Sequence, residues 1–159
     1  MILVTLGTQD KSFKRLLDEI QKLIDKKVIE DKVIVQAGFT KYQSKDMEIF
    51  DLIDRDKFNS LMKECDLLIT HGGVGSILTG LKNGKKIIAC PRLEKYNEHI
   101  NDHQKQIIEK FSKDKYIIGI SDPKELEDAF KEIKTFKNKN YVSNTHNMVK
   151  LISNFIDNN

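Results

Sequence analysis

Short apolar runs alternate along the chain with segments in which apolar residues recur every three or four positions. A short run bounded by glycine or polar residues is typical of a buried strand, whereas the spacing of three and four is typical of an amphipathic helix. The runs predict strands at residues 2–6, 33–35, 47–50, 67–70, 87–90 and 116–118. The spacing predicts helices at residues 13–24, from 56, at 75–83 and 100–111, from 122, and at 148–156. The polar segments 37–46, 91–97 and 135–144 are predicted to be loops.

Several predicted helices begin or end at residues that suit a helix boundary. Asp56 can cap the second helix, and Gly84 follows the third as a stop signal. Asp122, Pro123 and Glu125 form a helix start with a cap, a first-turn proline and an acid at the third position.

The alternation of strands and helices predicts one α/β domain over residues 1–159. We expect a Rossmann-like, mostly parallel sheet with helices on both faces. Such sheets bind ligands beyond the carboxyl ends of their strands. Gly7 and Gly73 each follow a predicted strand, so both glycine loops are expected at one edge of the sheet.

Composition narrows the classes of function. The 159 residues carry 27 Lys and Arg against 24 Asp and Glu, and the basic residues are scattered, so nucleic acid is not an expected partner. No apolar run approaches the roughly 20 residues of a spanning helix, and the first ten residues lack the shape of a signal peptide. Cys65 and Cys90 lack the spacing of a metal site and are interpreted as buried reduced thiols, which suggests a cytosolic protein.

The segment from His71 to Ser76 holds three glycines where a strand gives way to a helix. The first amides of a helix lack partners inside it, and the helix dipole favours a negative ligand, so this junction suits a phosphate group. Ser76 adds a hydroxyl donor in the first turn. The alternative is a tight turn in which glycine only permits positive φ angles. Neither a P-loop nor a complete dinucleotide fingerprint is present, which argues against a P-loop NTPase and an NAD-dependent enzyme.

Three stretches in this order resemble a known family: ILVTLGTQDKSF, THGGVGSILTGLKNGKKIIACPR and KYNEHINDHQ. They are similar to the C-terminal, donor-binding half of GT-B glycosyltransferases. The similarity is strongest to small single-domain subunits of two-part enzymes, namely the PssE-like capsule and exopolysaccharide subunits and the catalytic subunit of the dolichol-pathway N-acetylglucosaminyltransferase. The resemblance extends over essentially the whole chain.

The resemblance implies a site for a sugar nucleotide, most simply a UDP-sugar, without a cofactor or metal. It implies that Gly7 and Thr8 face the donor and that the nucleobase meets the region of Phe50 and Asp51. It implies that the diphosphate is lined by His71, Gly72, Gly73, Gly75 and Ser76, and the transferred sugar by Asp102, His103 and Gln104. Many relatives carry an acid for the ribose three positions after Ser76, where this chain has Thr79.

The polar segment from Asn97 to Gln104 leaves alternatives open. His99 and His103 are four positions apart, as zinc ligands on a helix can be, but no third ligand is evident. The segment can also be a solvated helix start, or it can contact the sugar from the same crevice as His71.

An inverting transfer needs a base that deprotonates the acceptor hydroxyl. Glu98 and His99 are weak candidates, and in two-domain relatives the base usually lies in the other domain. The resemblance therefore implies a membrane-anchored partner subunit that binds a lipid-linked saccharide acceptor for surface polysaccharide biosynthesis. It would recruit this cytoplasmic chain to the inner face of the membrane. The alternatives are a noncatalytic accessory subunit, and a free-standing enzyme such as an epimerase, against which the missing dinucleotide fingerprint argues.

Overall fold

The fold is built on a parallel sheet in which each strand is short and strongly apolar. The computed structural model describes residues 1–140. Within them the strands are β1 (Ile2–Thr5), β2 (Val33–Gln36), β3 (Met47–Phe50), β4 (Leu67–Thr70), β5 (Lys86–Ala89) and β6 (Ile118–Gly119). All paired strands run parallel in the spatial order β3-β2-β1-β4-β5-β6. This is the doubly wound Rossmann arrangement, and it confirms the predicted α/β fold.

Helices cover both faces of the sheet. They are α1 (Lys14–Asp25), α2 (Arg55–Glu64), α3 (Val74–Lys82), α4 (His103–Lys113) and α5 (Leu126–Ile133). The apolar faces of α1 and α5 pack on one side of the sheet, and those of α2, α3 and α4 pack on the other. Alternate residues of a strand feed the two cores, as Leu3 and Val4 do in β1. Burial on both faces explains why the strands appear in the sequence as apolar runs without alternation.

Two helix boundaries agree with the sequence signals. Gly84 has a φ of +67° directly after α3, in the left-handed conformation that glycine adopts at little cost. The Asp122 carboxylate accepts from the Lys124 amide at 2.9 Å, and Glu125 accepts from the Asp122 amide at 2.8 Å. This capping box opens a short 3-10 turn that leads into α5.

Three local predictions were wrong. The cap of α2 is Asp54 rather than Asp56, because only Asp54 has the extended backbone that lets its carboxylate reach the Lys57 amide, at 2.8 Å. Helix α4 begins at His103, and Ile100 before it is 73% exposed, so the apolar stripe begins later than predicted. The last strand is displaced to Ile118–Gly119.

Within residues 1–140, none of the helices has the length and apolar character needed to cross a membrane. The helix predicted at 148–156 lies outside the described residues.

Candidate functional site

The site lies where the strand order reverses between β1 and β4. Helices leave these two strands toward opposite faces of the sheet, so a crevice opens beyond their carboxyl ends. Thr5 and Thr70 lie at the base of this crevice, and their hydroxyl oxygens are 2.7 Å apart in a buried hydrogen bond. Both glycine loops follow directly, which confirms that they share one edge of the sheet.

The imidazole of His71 is wedged between the two glycine loops. A β-carbon at Gly7 would lie 2.6 Å from Nε2 of His71, and one at Gly73 would lie 2.5 Å from the same atom. Gly7 also has a φ of +79°. Both positions therefore require glycine because a side chain there would collide with the imidazole of His71. The sequence alone did not indicate this reason.

His71 is held from the other side by Gln104, at the start of α4. The nitrogens His71 Nδ1 and Gln104 Nε2 are 2.9 Å apart, while Gln104 Oε1 accepts from the amides of Gly72 at 3.1 Å and Arg92 at 3.0 Å. A β-carbon at Gly72 would lie 2.9 Å from the Gln104 Cα, so α4 packs directly on this loop. Burial, with the nearby charge of Arg92, lowers the pKa of His71 to about 3. The imidazole is therefore neutral at physiological pH.

Arg92, after β5, is completely buried and braces the Gly7 loop. Its guanidinium donates to the carbonyls of Leu6, Lys11 and Glu98. Burial lowers the pKa of Arg92 to about 10, so the group stays charged at neutral pH. The guanidinium thus fixes the carbonyl immediately before Gly7.

The first turn of α3 presents unpaired donors to the crevice. Its first backbone bond runs from the Ile77 amide to the Gly73 carbonyl at 3.2 Å, so the amides before Ile77 have no partner within the helix. Among residues 1–140 the Ser76 hydroxyl has no hydrogen-bond partner either. Thr79 donates its hydroxyl back to the Gly75 carbonyl at 2.8 Å.

These groups surround a pocket of about 340 Å³. Its lining includes six residues that the sequence singled out: Gly7, Thr8, His71, Gly73, Gly75 and Ser76. The lining also includes residues that the sequence analysis missed, namely Gln9, Gln36, Leu52, Ile53 and Phe58. Gln36 ends β2, and its side-chain amide bonds to both the amide and the carbonyl of Gly7, at 3.3 and 3.1 Å. The rule that ligands bind at the carboxyl ends of strands could have identified Gln36, because it stands at the same edge as Thr5.

The predicted nucleobase region lies beside this pocket rather than in its lining. Lys57 places its Nζ 3.7 Å from the centre of the Phe50 ring, and the side chain of Asp51 lies 3.6 Å from Lys41. The apolar wall of the pocket comes instead from Leu52, Ile53 and Phe58.

The segment before α4 is irregular, and His99 therefore does not share a helix with His103. Asp102 accepts from the Glu94 amide at 2.9 Å through its side chain. Neither Asp102 nor His103 lines the pocket. No group of three His, Cys, Asp or Glu residues suited to a metal occurs within residues 1–140.

Glu98, a candidate base, is only 3% exposed and is fully engaged. Its carboxylate accepts from Arg15 at 2.7 and 2.8 Å and from the Leu93 amide at 3.0 Å. A carboxylate that already accepts three hydrogen bonds and pairs with a guanidinium is poorly suited to remove a proton from an acceptor. The geometry disfavours Glu98 as the base.

The doubly wound sheet, the helix start and the pocket at the strand-order reversal define a Rossmann-like α/β domain whose candidate site lies where such sheets bind ligands. A family model, the glycosyltransferase family 28 C-terminal domain, matches residues 1–157. The chain belongs to this family. It is a glycosyltransferase domain equivalent to the C-terminal half of a GT-B enzyme.

Solved structures share the fold at low sequence identity. The glycotransferase of kitacinnamycin is 19% identical, with a TM-score of 0.61 over 84% of this chain and 34% of that chain. MurG of Acinetobacter baumannii is 14% identical, with a TM-score of 0.55 over 83% of this chain and 41% of that one. ALG13 is 20% identical, with a TM-score of 0.58, and the match covers 94% of this chain and 93% of that one. No curated protein matches the sequence.

Proposed function

We propose that this chain is the donor-binding catalytic subunit of a two-part inverting glycosyltransferase and that its donor is a UDP-sugar. The observation that carries the proposal is the buried His71 imidazole, which meets the pocket between two glycine loops and beside the open amides of α3. Such a set of neutral and dipolar donors suits the diphosphate of a sugar nucleotide.

The same donors account for transition-state stabilisation. Negative charge grows on the diphosphate as its bond to the sugar breaks. The amides before Ile77, the Ser76 hydroxyl and the His71 ring are already fixed in place, so they stabilise this charge without reorganising. The nucleobase would rest against Leu52, Ile53 and Phe58, near Gln36 and the main chain of Asp51. Asp102 and His103 are the proposed contacts to the transferred sugar.

The proposed division into two subunits is supported by the similarity to ALG13 and by the engagement of Glu98. The match to ALG13 extends over nearly all of both chains, whereas the chain spans well under half of the kitacinnamycin and MurG enzymes. Glu98, one of the two candidate bases, is paired with Arg15. Among the described residues this leaves His99 as the other candidate. We therefore propose that the base and the acceptor site belong to a membrane-anchored partner. That partner would bind a lipid-linked saccharide in surface polysaccharide biosynthesis and hold this chain at the cytoplasmic face of the membrane.

Donor binding is tested by calorimetric titration of the purified chain with UDP, UMP and uridine. We expect UDP to bind most tightly, because only UDP carries the second phosphate. Ser76→Ala should weaken UDP binding by about 1 kcal/mol, the scale of one net hydrogen bond. Ser60→Ala is the matched control, since Ser60 is exposed on α2 and does not line the pocket. Equal affinities for UDP and uridine would refute a diphosphate site.

Catalysis is tested in membranes of the native host depleted of this chain. Labelled UDP-sugar is supplied, and transfer to a lipid-extractable product is measured. Adding back the purified chain should restore transfer, whereas the doubly substituted chain His71→Ala, Ser76→Ala should not. Full transfer without the chain, or with the doubly substituted chain, would make it an accessory subunit whose partner is active alone.

A further inference from the structure

We infer that Gln104 is a positioning residue that sets the tautomer of His71, so that the imidazole presents an Nε2–H donor to the pocket. The assignment of the tautomer depends only on the hydrogen bonds of the ligand-free chain. Its consequence for ligand binding rests on the proposed UDP site.

The orientation of the Gln104 amide is fixed by two backbone groups. The Gly72 and Arg92 amides approach its Oε1 at 3.1 and 3.0 Å. A backbone N–H can only donate, so the atom that faces both of them must be the carbonyl oxygen. The NH₂ group of Gln104 is then the atom that faces His71 Nδ1, at 2.9 Å.

An NH₂ group can only donate, so Nδ1 of His71 must accept and carries no proton. Burial and the nearby charge of Arg92 keep the ring neutral at physiological pH. His99 also faces the imidazole, but burial lowers the pKa of His99, so it adds no charge at this pH. A neutral imidazole has one proton, and the only other position for it is Nε2. Gln104 therefore selects the Nε2–H form.

The Nε2 atom is available to a ligand. It makes no hydrogen bond within residues 1–140, and it is not among their fully buried unpaired polar atoms, so it retains contact with solvent. Gly7 and Gly73 flank it closely, and His71 lines the pocket with them. A phosphate oxygen at this position would accept from Nε2–H. The opposite tautomer would instead present a lone pair and repel it.

This role differs from the sugar contact that the family resemblance implied for Gln104. The side chain is 5% exposed, lies outside the pocket lining, and already uses both its oxygen and its NH₂ group. A sugar contact predicts that changes at Gln104 leave UDP binding intact. A tautomer-setting role predicts that UDP binding itself changes.

Gln104→Glu separates these roles with little change in shape. A carboxylate still accepts from the amides of Gly72 and Arg92 but cannot donate to His71. The proton should therefore move to Nδ1, leaving Nε2 bare. The new carboxylate also raises the pKa of His71, so that at lower pH the ring becomes doubly protonated and Nε2–H returns.

The first measurement is a long-range ¹H–¹⁵N spectrum of the His71 ring without ligand. The wild-type chain should show Nε2 protonated and Nδ1 bare at neutral pH, and Gln104→Glu should show the reverse at about pH 8. A protonated Nδ1 in the wild-type chain would overturn the inference without reference to any variant.

The second measurement is UDP affinity relative to the wild-type chain at each pH. Gln104→Glu should bind roughly tenfold more weakly at about pH 8, because one charge-assisted hydrogen bond is lost, and the deficit should narrow as the pH falls toward the raised pKa of His71. Gln106→Glu is the control, since Gln106 is exposed on the same helix and the variant gains the same charge. An affinity of Gln104→Glu equal to that of the wild-type chain at about pH 8 would refute the link to ligand binding. If the wild-type chain does not bind UDP at all, the proposed function fails, while the ¹⁵N spectrum still decides the tautomer.

Discussion

Gly73 and Gly75 stand two residues apart in the same loop, yet the structure gives them opposite surroundings. A β-carbon at Gly73 would collide with the His71 ring, whereas one at Gly75 meets no atom of the described residues 1–140 within 4 Å. Gly75 lies in the first turn of α3 and lines the pocket. A methyl group at Gly75 therefore enters space that residues 1–140 leave open, where it would meet a ligand bound in the pocket.

The two substitutions should separate stability from binding. In a helix, Ala in place of Gly stabilises by roughly 0.5 to 1 kcal/mol, because the unfolded chain has less conformational freedom to lose. Gly75→Ala should therefore raise the free energy of unfolding. We expect the increase to be about 0.5 kcal/mol, because Gly75 lies in the first turn of the helix. Gly73→Ala should lower it by about 1 to 3 kcal/mol, the usual cost of overpacking, since the buried His71 must move. UDP affinity should fall about tenfold or more in both variants.

Urea titrations give the free energy of unfolding, and calorimetry gives UDP affinity at one temperature and salt concentration. The informative result is Gly75→Ala with unchanged or increased stability and weakened UDP binding, since lost folding cannot explain that combination. If Gly75→Ala binds UDP as tightly as the wild-type chain, the diphosphate does not approach the start of α3. The proposed site is then wrong, whatever Gly73→Ala does.

Two further predictions use other groups of the site. The free energy of unfolding should fall as the pH is lowered from about 6.5, at a slope of up to about 1.4 kcal/mol per pH unit. The unfolded chain takes up a proton at His71 in this range, whereas the folded chain does so only near the lowered pKa of about 3. Urea titrations over a pH series should show a shallower slope for His71→Gln, and an equal slope would contradict the burial argument. Thr79→Glu should strengthen UDP binding by roughly 1 kcal/mol, because a carboxylate accepts from ribose hydroxyls more strongly than a hydroxyl that already bonds to Gly75. The gain should vanish with 2′,3′-dideoxy-UDP, and an equal gain with both ligands would place the ribose elsewhere.

The sequence predicted the sheet well because its strands are buried on both faces. An apolar run such as that of β4 needs no partner information to be recognised. Helix ends were predictable where a local signal determines the boundary. Gly84 ends α3 in this way, and the capping box of Asp122 and Glu125 marks the turn that leads into α5. They were not predictable where two candidates compete, as Asp54 and Asp56 do, because backbone conformation decides between them.

The roles of His71 and Gln104 depend on contacts between residues far apart in the chain, and this is why the sequence indicated them only in part. The pair is separated by 33 positions, and the imidazole needs two glycine loops to accommodate it. The irregular course of the segment before α4 was not predicted, because it too depends on contacts between residues far apart in the chain. Its course is held by Arg92 and by the pair of Arg15 with Glu98, which no local pattern reveals.

The distribution of buried polar groups gives an independent reason to treat this edge of the sheet as functional. Within residues 1–140 the buried polar or charged residues are Thr5, Gln36, Thr40, Thr70, His71, Arg92, Glu98 and Gln104. Each ends a strand, follows a carboxyl end or opens α4, so all of them gather around one edge. A buried charge such as that of Arg92 is costly, and apolar residues of similar volume often stabilise a core as well or better. A network that holds a neutral imidazole between two glycine loops is therefore better explained by a ligand than by stability.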